Sequence, residues 1–143
     1  LLDNSTSMLD VAKAKFSKIP NIYFHNIDAE RLSDVPVLFG SIVSSFTYSW
    51  IEEPKELLKK LTTRIRENGN IIVLEEEHYA NVKTTPVFAS SNEFLFELST
   101  LENYLSAIDV KEFVMNELGF RMVDKVECEI DENHKLVGMV FKS

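Results

Sequence analysis

The sequence predicts an α/β fold with a mostly parallel sheet. Three observations carry this. Short apolar runs alternate with amphipathic helical stretches, the pattern of parallel strands joined by crossover helices. Ile71-Ile72-Val73-Leu74 is apolar at every position and bounded by turn residues, which reads as a strand buried on both faces. Two strand-like runs, 120–130 and 136–141, are separated by Asp131-Glu132-Asn133, which reads as an antiparallel hairpin at the C-terminal edge.

The elements follow in order. Leu1-Leu2-Asp3 looks like the end of a strand. Ser5 offers an N-cap hydroxyl, and Met8, Leu9, Ala12, Phe16 and Ile19 recur at helical spacing. Residues 6–18 therefore read as an amphipathic helix, stopped by Pro20-Asn21. Ile22-Tyr23-Phe24-His25 reads as a short strand. Residues 31–39, with Pro36, form a connection to a strand at 41–46. Pro54 suits the first turn of a helix, where its missing N–H costs nothing. Leu57, Leu58, Leu61 and Ile65 make that helix's inward face. Asn68-Gly69 closes it, with Gly69 expected at positive φ. Residues 79–98 are irregular and rich in Phe and Tyr. Ser99 and Glu102 fit a capping box, and Asp109 with Glu112 repeats the signature for a helix ending at Gly119.

Composition narrows the function classes. A chain of 143 residues with 45% apolar and 27% charged residues is expected to form one domain with a substantial core. No apolar run approaches the roughly 20 residues of a membrane span, and the first residues lack the basic and apolar regions of a signal peptide. The net charge of −8 disfavours nucleic acid, whose binding draws on clustered Lys and Arg. The stretch Lys55–Arg66 interleaves its bases with acids and reads as a solvated helix face. The single cysteine, Cys128, suits a reducing, cytoplasmic location. In Val126-Glu127-Cys128-Glu129-Ile130 it is expected as a buried strand thiol, because Glu127 and Glu129 oppose a reactive thiolate.

Several motifs, in order along nearly the whole chain, resemble class I S-adenosylmethionine-dependent methyltransferases. Leu2-Asp3-Asn4-Ser5-Thr6-Ser7-Met8-Leu9 is similar to the end of the family's second strand and the helix after it. Asn26-Ile27-Asp28-Ala29-Glu30-Arg31-Leu32 resembles the Asp-Ala segment after the third strand. Val43-Ser44-Ser45-Phe46-Thr47-Tyr48-Ser49-Trp50-Ile51 resembles the fourth-strand motif, and Glu53-Pro54, Asn68-Gly69-Asn70, Glu75-Glu76-Glu77 and Gly119-Phe120 fit the later landmarks. The resemblance implies a Rossmann-like, mostly parallel sheet with helices on both faces and an antiparallel C-terminal hairpin strand. It implies S-adenosyl-L-methionine as cofactor. Asp3 would accept from the ribose hydroxyls, the logic of the ribose-binding acid in dinucleotide folds. Met8 would lie near the adenine, Asp28 and Ala29 would bind the adenine edge, and Ser44 and Ser45 would lie beside the methionine part.

Two departures stand out. The sequence starts at what would be the second strand, so the family's first strand and Gly-x-Gly-x-Gly loop are missing. The four glycines, at 40, 69, 119 and 138, are too scattered to replace them. In the family that first strand lies between the second and fourth, so its loss leaves backbone donors and acceptors unpaired. An N-terminal segment or a partner chain is expected to complete the sheet, and residues 1–143 alone are expected to bind cofactor weakly. The second departure is Gly40, where the fourth strand often begins with Asp.

Each candidate has a plainer reading. Asp3 is also a helix N-terminal acid, Asp28 a turn residue, and Ser44 and Ser45 strand-end packing. Trp50 reads as core or pocket wall more readily than as a substrate platform. Tyr79, Phe88, Phe94 and Phe96 are candidates for acceptor contacts because the family places an acceptor-binding or lid segment there. Glu75–Glu77 with His78 suggests a metal, but adjacent strand residues face opposite ways, so the run reads as solvated or loop-directed and no metal site is expected. His25 and His134 read as structural or exposed. No general base can be named. The absence of an Asp/Asn-Pro-Pro-Tyr/Phe motif, with the acidic charge, points to a small-molecule or protein acceptor. The alternatives are a non-catalytic binding or scaffolding module and another nucleotide-binding α/β domain.

Overall fold

The structure is a computed structural model. It describes residues 1–34, 36–45, 47–48, 51–78, 107–130 and 134–143. The chain forms two compact units, Leu1–Val37 and Leu38–Ser143.

The smaller unit is a β-α-β piece. Strands β1 (Leu2–Asp3) and β2 (His25–Asn26) pair in parallel, Leu2 with His25 and Asp3 with Asn26. Flanking bonds extend the pairing, from His25 N to Leu1 O at 2.9 Å and from Ile27 N to Asp3 O at 3.2 Å. Helix α1 (Thr6–Phe16) crosses between them. Ser5 caps it as expected, its Oγ accepting from Met8 N at 3.4 Å. Of the apolar positions only Leu9 is fully buried, while Met8 and Ile19 are exposed. The strand expected at 22–25 is shorter and shifted by a residue, and Tyr23 is exposed. A 3₁₀ turn (Ala29–Asp34) ends the unit.

The larger unit holds a four-stranded sheet, β3 (Phe39–Ser45), β4 (Ile65–His78), β5 (Arg121–Glu129) and β6 (His134–Lys142), in the order β3-β4-β6-β5. β3 and β4 are parallel. β6 runs antiparallel to both β4 and β5. The C-terminal hairpin is therefore present, but its last strand lies inside the sheet and β5 takes the edge. The reason is that β6 offers two ladder edges and both are used, one of them to satisfy the backbone of β4.

One face of this sheet is the core. Ile71 and Val73 on β4, with Val137, Met139 and Phe141 on β6, are buried. Cross-strand registers place Ile71 beside Phe141 and Val73 beside Met139. The alternate residues Ile72 and Leu74 are half-buried, so this strand is enclosed on one face rather than on both. Helix α2 (Pro54–Thr62) opens on Pro54 and buries Leu57, Leu58 and Leu61. It stops before Ile65, which instead begins β4 opposite Phe39. Helix α3 (Ala107–Glu112) runs into a π-helical turn (Phe113–Glu117) and buries Ala107, Val110, Phe113 and Val114. Asp109 thus sits within its first turn rather than capping it. Lys55 and Lys59 of α2 lie over the Phe113 ring at 5.5 and 5.9 Å, which sets the two helices side by side.

Two tight spots differ from expectation. The left-handed conformation falls on Asn68 (φ 60°), not on Gly69. Gly69 is needed for close approach instead: a Cβ there would lie 2.8 Å from Arg66 O and 2.9 Å from Gly40 O. Gly119 does take positive φ (73°), ending the helix as expected. Cys128 is exposed, because β5 is an edge strand whose residues lie almost entirely open.

Candidate functional site

Parallel pairing of β1 with β2 brings both candidate acids to the carboxyl end of the small sheet. Asp3 is the last residue of β1, and Asp28 follows β2 by two residues. Both are half-buried. Asp3 Oδ1 accepts from Ser5 N at 2.7 Å, which fixes the carboxylate at the turn into α1. Asp28 Oδ1 accepts from Glu30 N at 3.0 Å, and its carbonyl accepts from Arg31 N at 3.0 Å. Asp28 therefore does act as a turn residue, starting the 3₁₀ turn at Ala29. A carboxylate has more lone pairs than one backbone N–H uses, so this bond is compatible with a second donor from a ligand.

Met8 stands on the first turn of α1 with 59% of its surface exposed, available to an apolar ligand surface. Ala29 is half-buried. A residue that sequence reasoning quoted but gave no role is Asn26. Its Nδ2 donates to Asn4 O at 3.1 Å and lies 3.4 Å from Asp3 O. It ties the turn carrying Asp3 to β2. The signal was an Asn two residues before Asp28.

In the larger unit Ser44 and Ser45 end β3. Ser44 is buried and Ser45 exposed. The Ser44 hydroxyl and the Tyr48 phenol are buried near each other, neither with a partner at full hydrogen-bond geometry among the described residues. Burial pushes the Tyr48 pKa up to about 12; the Ser44 hydroxyl beside it lowers it somewhat, and the Glu75 charge raises it. Glu75 was expected to be one of a solvated or loop-directed run. It is instead buried, and its Oε1 accepts from Thr47 N at 3.1 Å and Tyr48 N at 3.3 Å. Trp50, Tyr79, Phe88, Phe94 and Phe96 lie outside the described residues, as does the capping box expected at Ser99 and Glu102. No group of three or more His, Cys, Asp or Glu among the described residues is arranged to hold a metal ion. No helix among them is long and apolar enough to cross a membrane.

The fold is that of the class I S-adenosylmethionine-dependent methyltransferases. The chain is similar to the N-methyltransferase NodS from Bradyrhizobium japonicum WM9, solved with S-adenosyl-L-homocysteine, at TM-score 0.72 and 13% identity, over 99% of this chain and 64% of that one. It is also similar to a putative S-adenosylmethionine-dependent methyltransferase from Listeria monocytogenes (TM-score 0.68, 16% identity, 99% and 78%). Magnesium protoporphyrin IX methyltransferase from Synechocystis PCC 6803, solved with bound S-adenosylmethionine, matches at TM-score 0.61 and 11% identity, over 99% and 58%. The chain thus spans less than two thirds of the length of NodS and of the Synechocystis enzyme. No protein-family model and no curated protein sequence matches it.

Proposed function

We propose that the complete protein transfers a methyl group from S-adenosyl-L-methionine to a small-molecule or protein acceptor. The observation that carries this reading is the pair Asp3 and Asp28 at the carboxyl end of two parallel strands, the crevice where open α/β sheets bind ligands. The residues present fit the cofactor. Asp3 is anchored by Ser5 N and keeps acceptor capacity for ribose hydroxyls. Asp28 and the backbone of Ala29 suit an adenine edge, with the exposed Met8 as apolar cover. Ser44 and Ser45 end β3, where the methionine part would lie.

The bound cofactor would supply a methyl group activated on sulfonium sulfur. The chain's own residues would then bind, orient and exclude water, since placing the acceptor in line accounts for most of the acceleration. A general base enters only for a hydroxyl or ammonium acceptor. The acceptor contacts are assigned to Trp50, Tyr79, Phe88, Phe94 and Phe96.

The cofactor cradle needs a further strand and its glycine-rich loop. The free edge of β3 has no ladder partner among the described residues. Val43 on that strand keeps 69% of its surface exposed, unusual for a valine on a sheet that should be covered. A parallel strand, from an N-terminal segment or a partner chain, would pair there.

Calorimetry on the full-length protein tests the function. Micromolar binding of S-adenosyl-L-homocysteine is expected, weakened at least about tenfold by Asp3→Asn, the loss for a charge-assisted hydrogen bond. A full-length protein that binds neither cofactor nor product would leave the non-catalytic module. One that binds NAD in preference would move it to another nucleotide-binding class.

A further inference from the structure

We infer that Glu75 is a positioning residue for the cofactor, holding the turn that follows Ser44 and Ser45 by accepting the backbone N–H groups of Thr47 and Tyr48. This rests on the methyltransferase reading and adds a residue to it.

Glu75 lies on β4 one position beyond the last residue paired to β3, since Leu74 pairs with Ser45, while its own backbone pairs with Val137 of β6. Its carboxylate therefore sits at the point where β3 leaves the ladder. Only 2% of the residue is exposed. A carboxylate removed from water is costly unless hydrogen bonds replace its hydration. Two of those bonds come from consecutive backbone amides, Thr47 N at 3.1 Å and Tyr48 N at 3.3 Å, both to Oε1. Successive N–H groups converging on one anion form a nest, here closed by a side chain of the same protein.

The turn is held at further points. Thr47 Oγ1 donates back to Ser45 O at 3.2 Å. Ile51 N donates to Tyr48 O at 3.5 Å, and the Tyr48 side chain is fully buried. The Ser45 carbonyl and the amides of Thr47 and Tyr48 thus have fixed directions before any ligand arrives. Preorganised backbone groups bind without the entropy cost of ordering a loop. The device works through the backbone, so Glu75 acts on Ser44 and Ser45 rather than on the ligand.

The test uses the full-length protein. S-adenosyl-L-homocysteine affinity is measured by calorimetry for wild type, Glu75→Ala and Glu75→Gln, with amide exchange at Thr47 and Tyr48 read by NMR. Glu75→Ala is expected to weaken binding about tenfold and to expose both amides. Glu75→Gln keeps an oxygen acceptor and is expected to stay within about threefold of wild type. Acceptor KM is expected to move less than the cofactor KM. Amides that lose protection while affinity stays unchanged would make the contact purely structural and overturn the proposal. If Glu75→Ala does not fold, Glu75→Gln decides: an affinity loss out of step with its amide protection overturns it. Failure of the wild type to bind removes the methyltransferase reading and this role together, whereas wild-type binding with an unaffected folded Glu75→Ala removes this role alone.

Discussion

Asn26 holds Asn4 across the small sheet, its Nδ2 donating to the Asn4 carbonyl at 3.1 Å. The same nitrogen lies 3.4 Å from Asp3 O and 3.5 Å from Thr6 Oγ1. One amide group thus spans the whole turn between β1 and α1. Asn26→Ala should lower stability by about 0.5–1 kcal/mol, the value of an exposed hydrogen bond. Asn26→Asp should cost more, because a carboxylate would then face carbonyl oxygens with no proton to offer. Urea unfolding of both variants checks the order. An Asp variant as stable as wild type would refute this role.

Gly69 and Asn68 make a second pair with separable effects. Gly69→Ala places a Cβ against the Ile65 side chain, 2.8 Å from Arg66 O and 2.9 Å from Gly40 O. The two oxygens are backbone, so the strand pair must shift. A loss of about 1–3 kcal/mol is expected, in the range of overpacking. Asn68 already holds φ 60°, where glycine is at ease. Asn68→Gly should therefore change thermal stability little. Equal losses at the two positions would show that the assignment of roles is wrong.

These two residues also illustrate how far the sequence could be read. Both Asn and Gly tolerate the left-handed region, so Asn68-Gly69 announces a turn without saying which residue takes it. What requires glycine at position 69 is the close approach of the Arg66 and Gly40 carbonyls, the latter nearly thirty residues away in the chain. Periodicity located α2 well because Leu57, Leu58 and Leu61 share a local face. It carried on into Ile65 because strand pairing to Phe39 is not a local property. The hairpin of β5 and β6 was legible from its turn, but the insertion of β6 beside β4 was not. The Glu75 contact was equally hidden: its partners lie 28 and 27 residues back, and a run of three glutamates carries no sign of which one turns inward. The positions of Asp3 and Asp28 in the fold were legible because Asp3 ends a strand beside a helix start and Asp28 opens a turn just after the next strand.

Cys128 tests the edge position of β5. Alternation in sequence showed which residues share its face, but burial depends on whether another element covers that face. The thiol is exposed on β5, with its Sγ 3.8 Å from Glu129 O. One thiol per chain should react with a neutral maleimide in the native state. Glu127 is held ionised, its pKa lowered by hydrogen bonds from Lys125 and Lys135, and the two lysines offset its charge. A neutral reagent reads the exposure of the thiol free of these charges. A native thiol silent to it would mean that β5 is covered.

Tyr48 provides a pH signature of the core. Its phenol is fully buried and has no partner at full hydrogen-bond geometry among the described residues. Burial is the main cause of a pKa raised to about 12 from 10.0. Below pH 10 the phenol is protonated whether the chain is folded or not, and its contribution is constant. Between about pH 10 and 12 the unfolded chain gives up the proton while the folded chain retains it. Stability must therefore fall as pH rises through that window. The full loss is about 3 kcal/mol at 1.36 kcal/mol per pKa unit. Tyr48→Phe removes both the titration and the unpaired hydroxyl. At pH 8 the variant should match wild type or exceed it by up to about 1 kcal/mol, since an unsatisfied buried hydroxyl is lost. At higher pH the gap should widen in the variant's favour. Ionisations common to both proteins cancel in the difference. Urea midpoints for the two proteins at pH 8, 10 and 11 that stay parallel would rule out a buried, neutral Tyr48.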